Sequence, residues 1–327
     1  MRIARLAVAV LAVSAGAARA NDSTAVFASG GLVLTSTDAV ALVAEDLRIA
    51  RDDIRVRYTF ENRTDGAVES LVAFPLPDID LATYTEVPVN QPTDDPVNFV
   101  GFTVVVDDQT ITPELHASAS LRGEDVTGVL AGLGIPISLF ADDLHQRLWD
   151  LPRADQDALQ ARELAFFERD YGAVYPQWTQ HVGFTWNQVF PAGRPIRVEH
   201  RYAPVVGTRF ISVYTLDGDH ETAFRARYCM DEHREAIAAR LEALEGTPSE
   251  GLLVADEIGY VLSTGANWAG PIGTLDLTID GGDPGNLVLT CFEGLTREGT
   301  SRLTGRWTDF VPTTDIWVLV IRANPES

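Results

Sequence analysis

Apolar and polar residues alternate strictly at two places far apart in the chain. Ile54, Val56, Tyr58 and Phe60 interleave with Arg55, Arg57, Thr59 and Glu61, and Ile196, Val198, His200 and Tyr202 interleave with Arg197, Glu199 and Arg201. A period of two puts one set on a buried face and the other on a wet face of a β-strand. Asn62-Arg63-Thr64-Asp65-Gly66 reads as a turn in which Asp-Gly signals a hairpin. Val68 to Phe74 then returns as a strand, and Pro75-Leu76-Pro77 stops it. Residues 78–97, rich in Asp and Pro, read as loop, and Phe99 to Val106 with Thr110 to Leu115 read as a hairpin around Asp107-Asp108.

The middle of the chain changes period. Helices fit Asp125 to Leu133, Ala141 to Leu151 and Ala154 to Asp170, the last with Leu159, Leu164 and Phe167 near one face. Strands resume with Val182, Phe184, Trp186 and Phe190 on one face, before a turn at Pro191-Ala192-Gly193. Phe224 to Tyr228 is strand-like. A helix follows, capped by Asp231, with Ile237, Leu241 and Leu244 on one side and Gly246 and Pro248 closing it. Further strands are expected at Tyr260 to Ser263, Gly273 to Ile279, Leu287 to Phe292 and Trp317 to Ile321.

The expected fold is therefore mainly β. A β-sandwich combines residues 21–120 with 177–215, interrupted by a helical insertion at 121–176. A second C-terminal β unit, residues 216–327, carries one helix. A chain of 327 residues is long enough to bury such a core without staples.

Residues 1–20 have the form of a cleavable export signal. Arg2 and Arg5 precede an apolar run from Leu6 to Ala18, and Ala18-Arg19-Ala20 offers small residues for cleavage before Asn21. That run is shorter than the roughly 20 residues needed to span a bilayer, so a periplasmic or secreted protein, not a membrane-spanning one, is expected. No cysteine follows the run, which excludes a lipid anchor there. With 25 basic against 47 acidic residues and a net charge of −22, the surface is expected to repel nucleic acid and anionic membranes. Every basic residue is Arg, so Schiff-base chemistry on a lysine is excluded. Cys229 and Cys291 are the only cysteines. An even count in an exported chain favours a disulfide, with two buried thiols as the alternative.

Asn21-Asp22-Ser23, Gly30-Gly31-Leu32, Glu45-Asp46-Leu47, Val72 to Asp78 (VAFPLPD), Phe190-Pro191-Ala192-Gly193, His200-Arg201-Tyr202 with Pro204, Tyr228-Cys229, Thr264 to Trp268 (TGANW) and Gly270-Pro271-Ile272-Gly273 occur in that order. Together they resemble the bacterial family called domain of unknown function 4424. The resemblance implies an exported protein without an assigned activity and transfers no catalytic residue. A second, partial resemblance is to the vault/inter-alpha-trypsin β-sandwich, through Phe60-Glu61-Asn62, Phe74-Pro75-Leu76-Pro77, Val104 to Ile111 and Val198 to Tyr202. It is an analogy of fold alone.

The chemistry-bearing residues fall into few patterns. His200 shares a face with Ile196, Val198 and Tyr202 and reads as a hydrogen-bonded core histidine, whereas His181 lies opposite Phe184 and Trp186 and reaches towards solvent. His220 sits in a run of acids whose neighbouring side chains diverge. Asp78-Ile79-Asp80, Asp94-Asp95 and Asp280-Gly281-Gly282-Asp283 are oxygen-rich but lack EF-hand spacing. No nucleophile elbow, zinc motif or phosphate loop occurs. No metal or cofactor is expected. The candidate ligand- or partner-contacting residues are His181, Asn267 and Trp268, with Ile137 and Phe140 of the insertion, which would close over one end of the sandwich. The expectation is a non-catalytic module binding an envelope protein or small ligand, with a periplasmic hydrolase using a carboxylate/His site as the alternative.

Overall fold

The computed structural model describes residues 22–28, 31–84, 90–95, 98–247 and 249–323. The export signal read at residues 1–20 lies outside them. The fold is mainly β. One sheet runs in the order Glu124–Asp125, Glu114–Leu121, Thr179–Phe190, Val68–Pro75, Ser23–Ala28, Gly31–Thr35, with Ile79–Asp80 also on Thr179–Phe190. A second runs Thr296–Glu298, Arg302–Phe310, Ile272–Asp280, Val40–Ala50, Ile54–Asn62, Ile196–Tyr202, Thr103–Val106, Gln109–Ile111. The two face each other through aromatic side chains. Phe60 meets Phe190, Phe74 meets Tyr202, and Trp186 meets His200, with ring centroids 5.8, 5.6 and 5.2 Å apart. This is the interior that the alternation at residues 54–60 and 196–202 demanded, and it is what makes a sandwich.

A third sheet, Gly207–Ile211, Leu253–Tyr260, Ile316–Ile321 and Leu287–Leu289, carries its own smaller core with the helices around it. Ile211, Phe224, Tyr228, Ile237 and Leu319 meet there. The disulfide joins Cys229, between two short helices, to Cys291, just beyond Leu287–Leu289, with Cα atoms 5.2 Å apart. It fastens the helical side of this core to its edge strand.

Several local expectations are corrected. Ile54–Asn62 and Val68–Pro75 do not form a hairpin but belong to opposite sheets. The Asn62 amide donates to the carbonyls of Gly66 and Phe190 at 2.7 and 2.8 Å, and its oxygen accepts from Thr64 N–H at 2.8 Å, so the turn becomes an arch between sheets. The helix expected to Asp170 is Arg153–Ala161. Glu163 adopts φ +59, and Ala165–Glu168 pairs with Ala173–Pro176. Phe224 to Tyr228 is not a strand: Thr222–Arg227 is helical, which sets Phe224 and Tyr228 one turn apart with rings 5.1 Å from each other. Spacing by four satisfies both periods, and the helix won.

The strand Ile272–Asp280 lies in the sandwich, parallel to Val40–Ala50. An otherwise open edge of a central strand is thereby covered. On its other side it pairs with Arg302–Phe310, a strand that the sequence pattern did not reveal.

Candidate functional site

A cleft of about 370 Å³ opens where the sandwich meets the third sheet. The turn after Val68–Pro75 supplies Leu76 and Asp78, the short strand Ile79–Asp80 supplies Asp80, and the end of Ile196–Tyr202 supplies Tyr202. The third sheet and its helices supply Arg209, Phe224, Arg227, Glu257, Gly259 and Trp317. The two prolines of Phe74-Pro75-Leu76-Pro77 end the strand at the cleft rim, because proline cannot continue a ladder. Gly259 faces Trp317 in register, and a Cβ there would lie 2.9 Å from the indole, so glycine lets the ring lie over the strand.

Glu257 accepts from Tyr228 Oη at 2.8 Å and from Arg209 at 3.1 Å, and Arg209 lies over the Phe224 ring at 4.2 Å. Arg227 lies over the Trp317 ring at 4.9 Å, is exposed, shares a side-chain hydrogen bond with Tyr228, and makes no ion pair among the described residues. Tyr202 is 3% exposed, and its hydroxyl has no hydrogen-bond partner among the described residues. Burial raises the phenol well above its ordinary value, so it stays a neutral donor and acceptor. An unpaired buried hydroxyl costs about 1–3 kcal/mol, and Tyr202 is also one of the residues that line the cleft.

Asp78 links the cleft to a second cluster. Its Oδ1 lies 2.6 Å from His181 Nδ1, and His181 Nε2 lies 2.7 Å from Ser120 Oγ. The imidazole and carboxylate are each 31% exposed. Asp125, beside them, has its carboxyl held below the ordinary range by hydrogen bonds from Thr127, with His181 adding to the effect. His181 thus reaches solvent, as its place on the strand suggests, but on the sheet face opposite the cleft-lining Val182.

Deeper in, His200 Nε2 lies 2.9 and 3.0 Å from the two carboxylate oxygens of Asp22, and both side chains are wholly buried. Burial raises the Asp22 carboxyl, and His200 opposes that shift. Trp268 Nε1 donates to Asp22 O at 2.6 Å, and Asn267 donates to Ser23 Oγ at 2.9 Å. The Trp268 ring packs on Phe60 and Phe190. Asn267 and Trp268 therefore hold the first described strand in the core and stand apart from the cleft. Ile137 accepts from Trp178 Nε1 at 2.9 Å through its carbonyl, and Phe140 packs on Phe99, itself a cleft wall, at 4.8 Å. Among the described residues no three His, Cys, Asp or Glu side chains converge as a metal-ligand group, and no helix is long and apolar enough to cross a membrane.

Sequence reasoning missed Tyr202, Arg209, Arg227, Glu257 and Ser120. Some of their signals were present but ambiguous: Tyr202 sits in the His-Arg-Tyr run, and Arg227 precedes Tyr228-Cys229.

The sequence profile of the family described as "Domain of unknown function (DUF4424)" matches residues 20–319. No curated protein matches the chain. Among solved structures, a candidate nutrient-binding protein of Legionella pneumophila aligns at TM-score 0.47 and 13% identity, over 92% of this chain and 70% of that one. An M1 zinc metallopeptidase of Deinococcus radiodurans aligns at TM-score 0.24 and 12% identity, over 88% of this chain and 43% of that one. This chain thus spans less than half of the peptidase's length, and neither likeness is close enough to carry that protein's chemistry across.

Proposed function

The chain belongs to the DUF4424 family, membership brings no assigned activity, and from the geometry of the site we propose that it is an exported ligand-binding protein whose site is the cleft around Tyr202 and Arg227. The observation that carries this reading is Tyr202, a residue that lines the hollow and whose buried hydroxyl has no partner among the described residues. At about 370 Å³ the cleft lies at the small end of ligand sites, roughly 300–1,000 Å³, which favour junctions between structural units. Export is supported by the signal-like residues 1–20 and by the disulfide between the chain's two cysteines.

The lining specifies the guest. Leu76, Val100, Phe224 and Trp317 offer an apolar bed, and Arg227, free of carboxylate partners among the described residues, offers one cation. A chain of net charge −22 repels polyanions, but a single negative group matches a single exposed guanidinium. The ligand is a small aliphatic or aromatic carboxylate with a second polar atom for Tyr202.

Calorimetric titration of the mature protein with hexanoate, 6-hydroxyhexanoate and hexylamine tests this. The expected order is 6-hydroxyhexanoate above hexanoate, with hexylamine not binding, and Arg227→Ala weakening both carboxylates. Equal binding of the amine, or carboxylate binding indifferent to Arg227→Ala, contradicts it.

A further inference from the structure

Ser120, His181 and Asp78 lie in line on the sandwich surface. The serine comes from Glu114–Leu121, the histidine from the neighbouring strand Thr179–Phe190, and the aspartate from the turn after Val68–Pro75. The sheet register places Ser120 opposite Thr179, so serine and His181 project from one face, two residues apart along the ladder. The distances, 2.7 Å from hydroxyl to imidazole and 2.6 Å from imidazole to carboxylate, are those of a nucleophile, its base and the group that orients the base. The Asp78 contact to Nδ1 leaves Nε2 as the nitrogen that faces Ser120, the tautomeric arrangement that a general base needs. His181 and Asp78 are part-exposed, so a reagent has access from solvent.

We propose that Ser120 is an acyl-accepting nucleophile and that the chain hydrolyses activated esters at this relay. As Ser120 Oγ bonds to the ester carbonyl carbon, its proton passes to His181 Nε2. The tetrahedral adduct then collapses, the carbon–oxygen bond to the leaving group breaks, and His181 returns the proton to the departing oxygen. Water attacks the acyl-serine with His181 again taking a proton. The acid leaves, and Ser120 recovers its hydroxyl. Asp78 is a positioning residue that fixes the imidazole.

The strand setting limits what this relay accepts. Ser120 is flanked by paired strands on both sides, at Thr179 and at Asp125, so the backbone N–H groups around it serve the sheet. A preorganised pair of N–H donors for an oxyanion is worth a factor of about 100–1,000 per donor, and the sheet does not offer one here. The reaction is therefore confined to esters with a good leaving group, such as an aryl oxygen, and amides are left intact. The proposal does not rest on the reading of the cleft, although Asp78 belongs to both.

Incubating the mature protein with a fluorophosphonate and mapping the adduct by mass spectrometry tests the nucleophile in the unaltered chain. The expected result is an adduct on Ser120. Hydrolysis of 4-nitrophenyl acetate is expected to fall on the order of 100-fold in Ser120→Ala and in His181→Gln, and in Asp78→Asn to lose kcat with KM unchanged. An amide analogue is expected to stay intact. A folded protein with no adduct on Ser120, or a Ser120→Ala variant that hydrolyses the ester at the original rate, overturns the proposal. The adduct map decides the matter even if a variant fails to fold.

Discussion

His200 and Asp22, 178 residues apart in the chain, form a wholly buried pair with Nε2 at 2.9 and 3.0 Å from the two carboxylate oxygens. The pair joins the first described strand to the centre of the second sheet, and the rings of Tyr58, Phe74, Phe102 and Trp186 surround the imidazole at 5.1–5.5 Å. Taking away one partner strands the other in a medium that cannot solvate it, at a cost of about 3–5 kcal/mol. Asp22→Ala and His200→Phe are each expected to lower the unfolding free energy by that amount in urea titrations. The double variant should lose clearly less than the sum. Additive losses would show that the two groups are not coupled.

The bridge between Cys229 and Cys291 closes a loop with a sequence separation of 62. In the chain-entropy model this stabilises the fold by about 4 kcal/mol. The Cys229→Ser/Cys291→Ser variant is expected to unfold at lower denaturant concentration by that amount. The oxidised protein should present no titratable thiol, and two reactive thiols in the folded chain would contradict the bridge.

Tyr58, Tyr202, Tyr228 and Tyr260 are buried, and burial holds all four phenols above their ordinary value. A folded value raised above the unfolded one contributes stability that is fully present below the unfolded value of about 10. That contribution is lost as pH rises through the folded one. Tyrosinate absorbance from the four buried rings is therefore expected only together with loss of near-ultraviolet dichroism. Ionisation of all the rings near pH 10, with the fold intact, would contradict this packing.

The strands were legible wherever one face is buried and the other wet. The alternation through Ile54 to Phe60 and Ile196 to Tyr202 marks two adjacent strands of one sheet, and Asp107 and Asp108 make the tight turn read for them, with φ values of 44 and 66. Which sheet a strand joins was not legible. Asn62 decides that at one arch through side-chain bonds that the Asp-Gly signal masks. The strand Arg302–Phe310 has no clean alternation, since only Leu303 of its residues is buried, and it is recruited by Ile272–Asp280.

The candidate site was less legible still. The cleft draws on segments between Leu76 and Trp317, and a local pattern cannot bring these together. Trp268 and Asn267 stood out in a glycine-flanked loop because aromatic and amide groups in loops suit ligands. The same groups serve equally well to hold the strand Ser23–Ala28. His181 was singled out correctly as solvent-reaching, but its partners Ser120 and Asp78 lie 61 and 103 residues away.

Whether the cleft is built for a guest can be read from Tyr202→Phe, with stability and affinity measured on the same protein. A hydroxyl that serves only packing should have a partner, and its removal should cost stability. One that awaits a ligand is a liability in the empty protein. Tyr202→Phe is expected to raise the unfolding free energy by about 1 kcal/mol while weakening 6-hydroxyhexanoate roughly fivefold, the worth of one hydrogen bond, and leaving hexanoate unchanged. Lower stability together with unaltered binding of both ligands would contradict it.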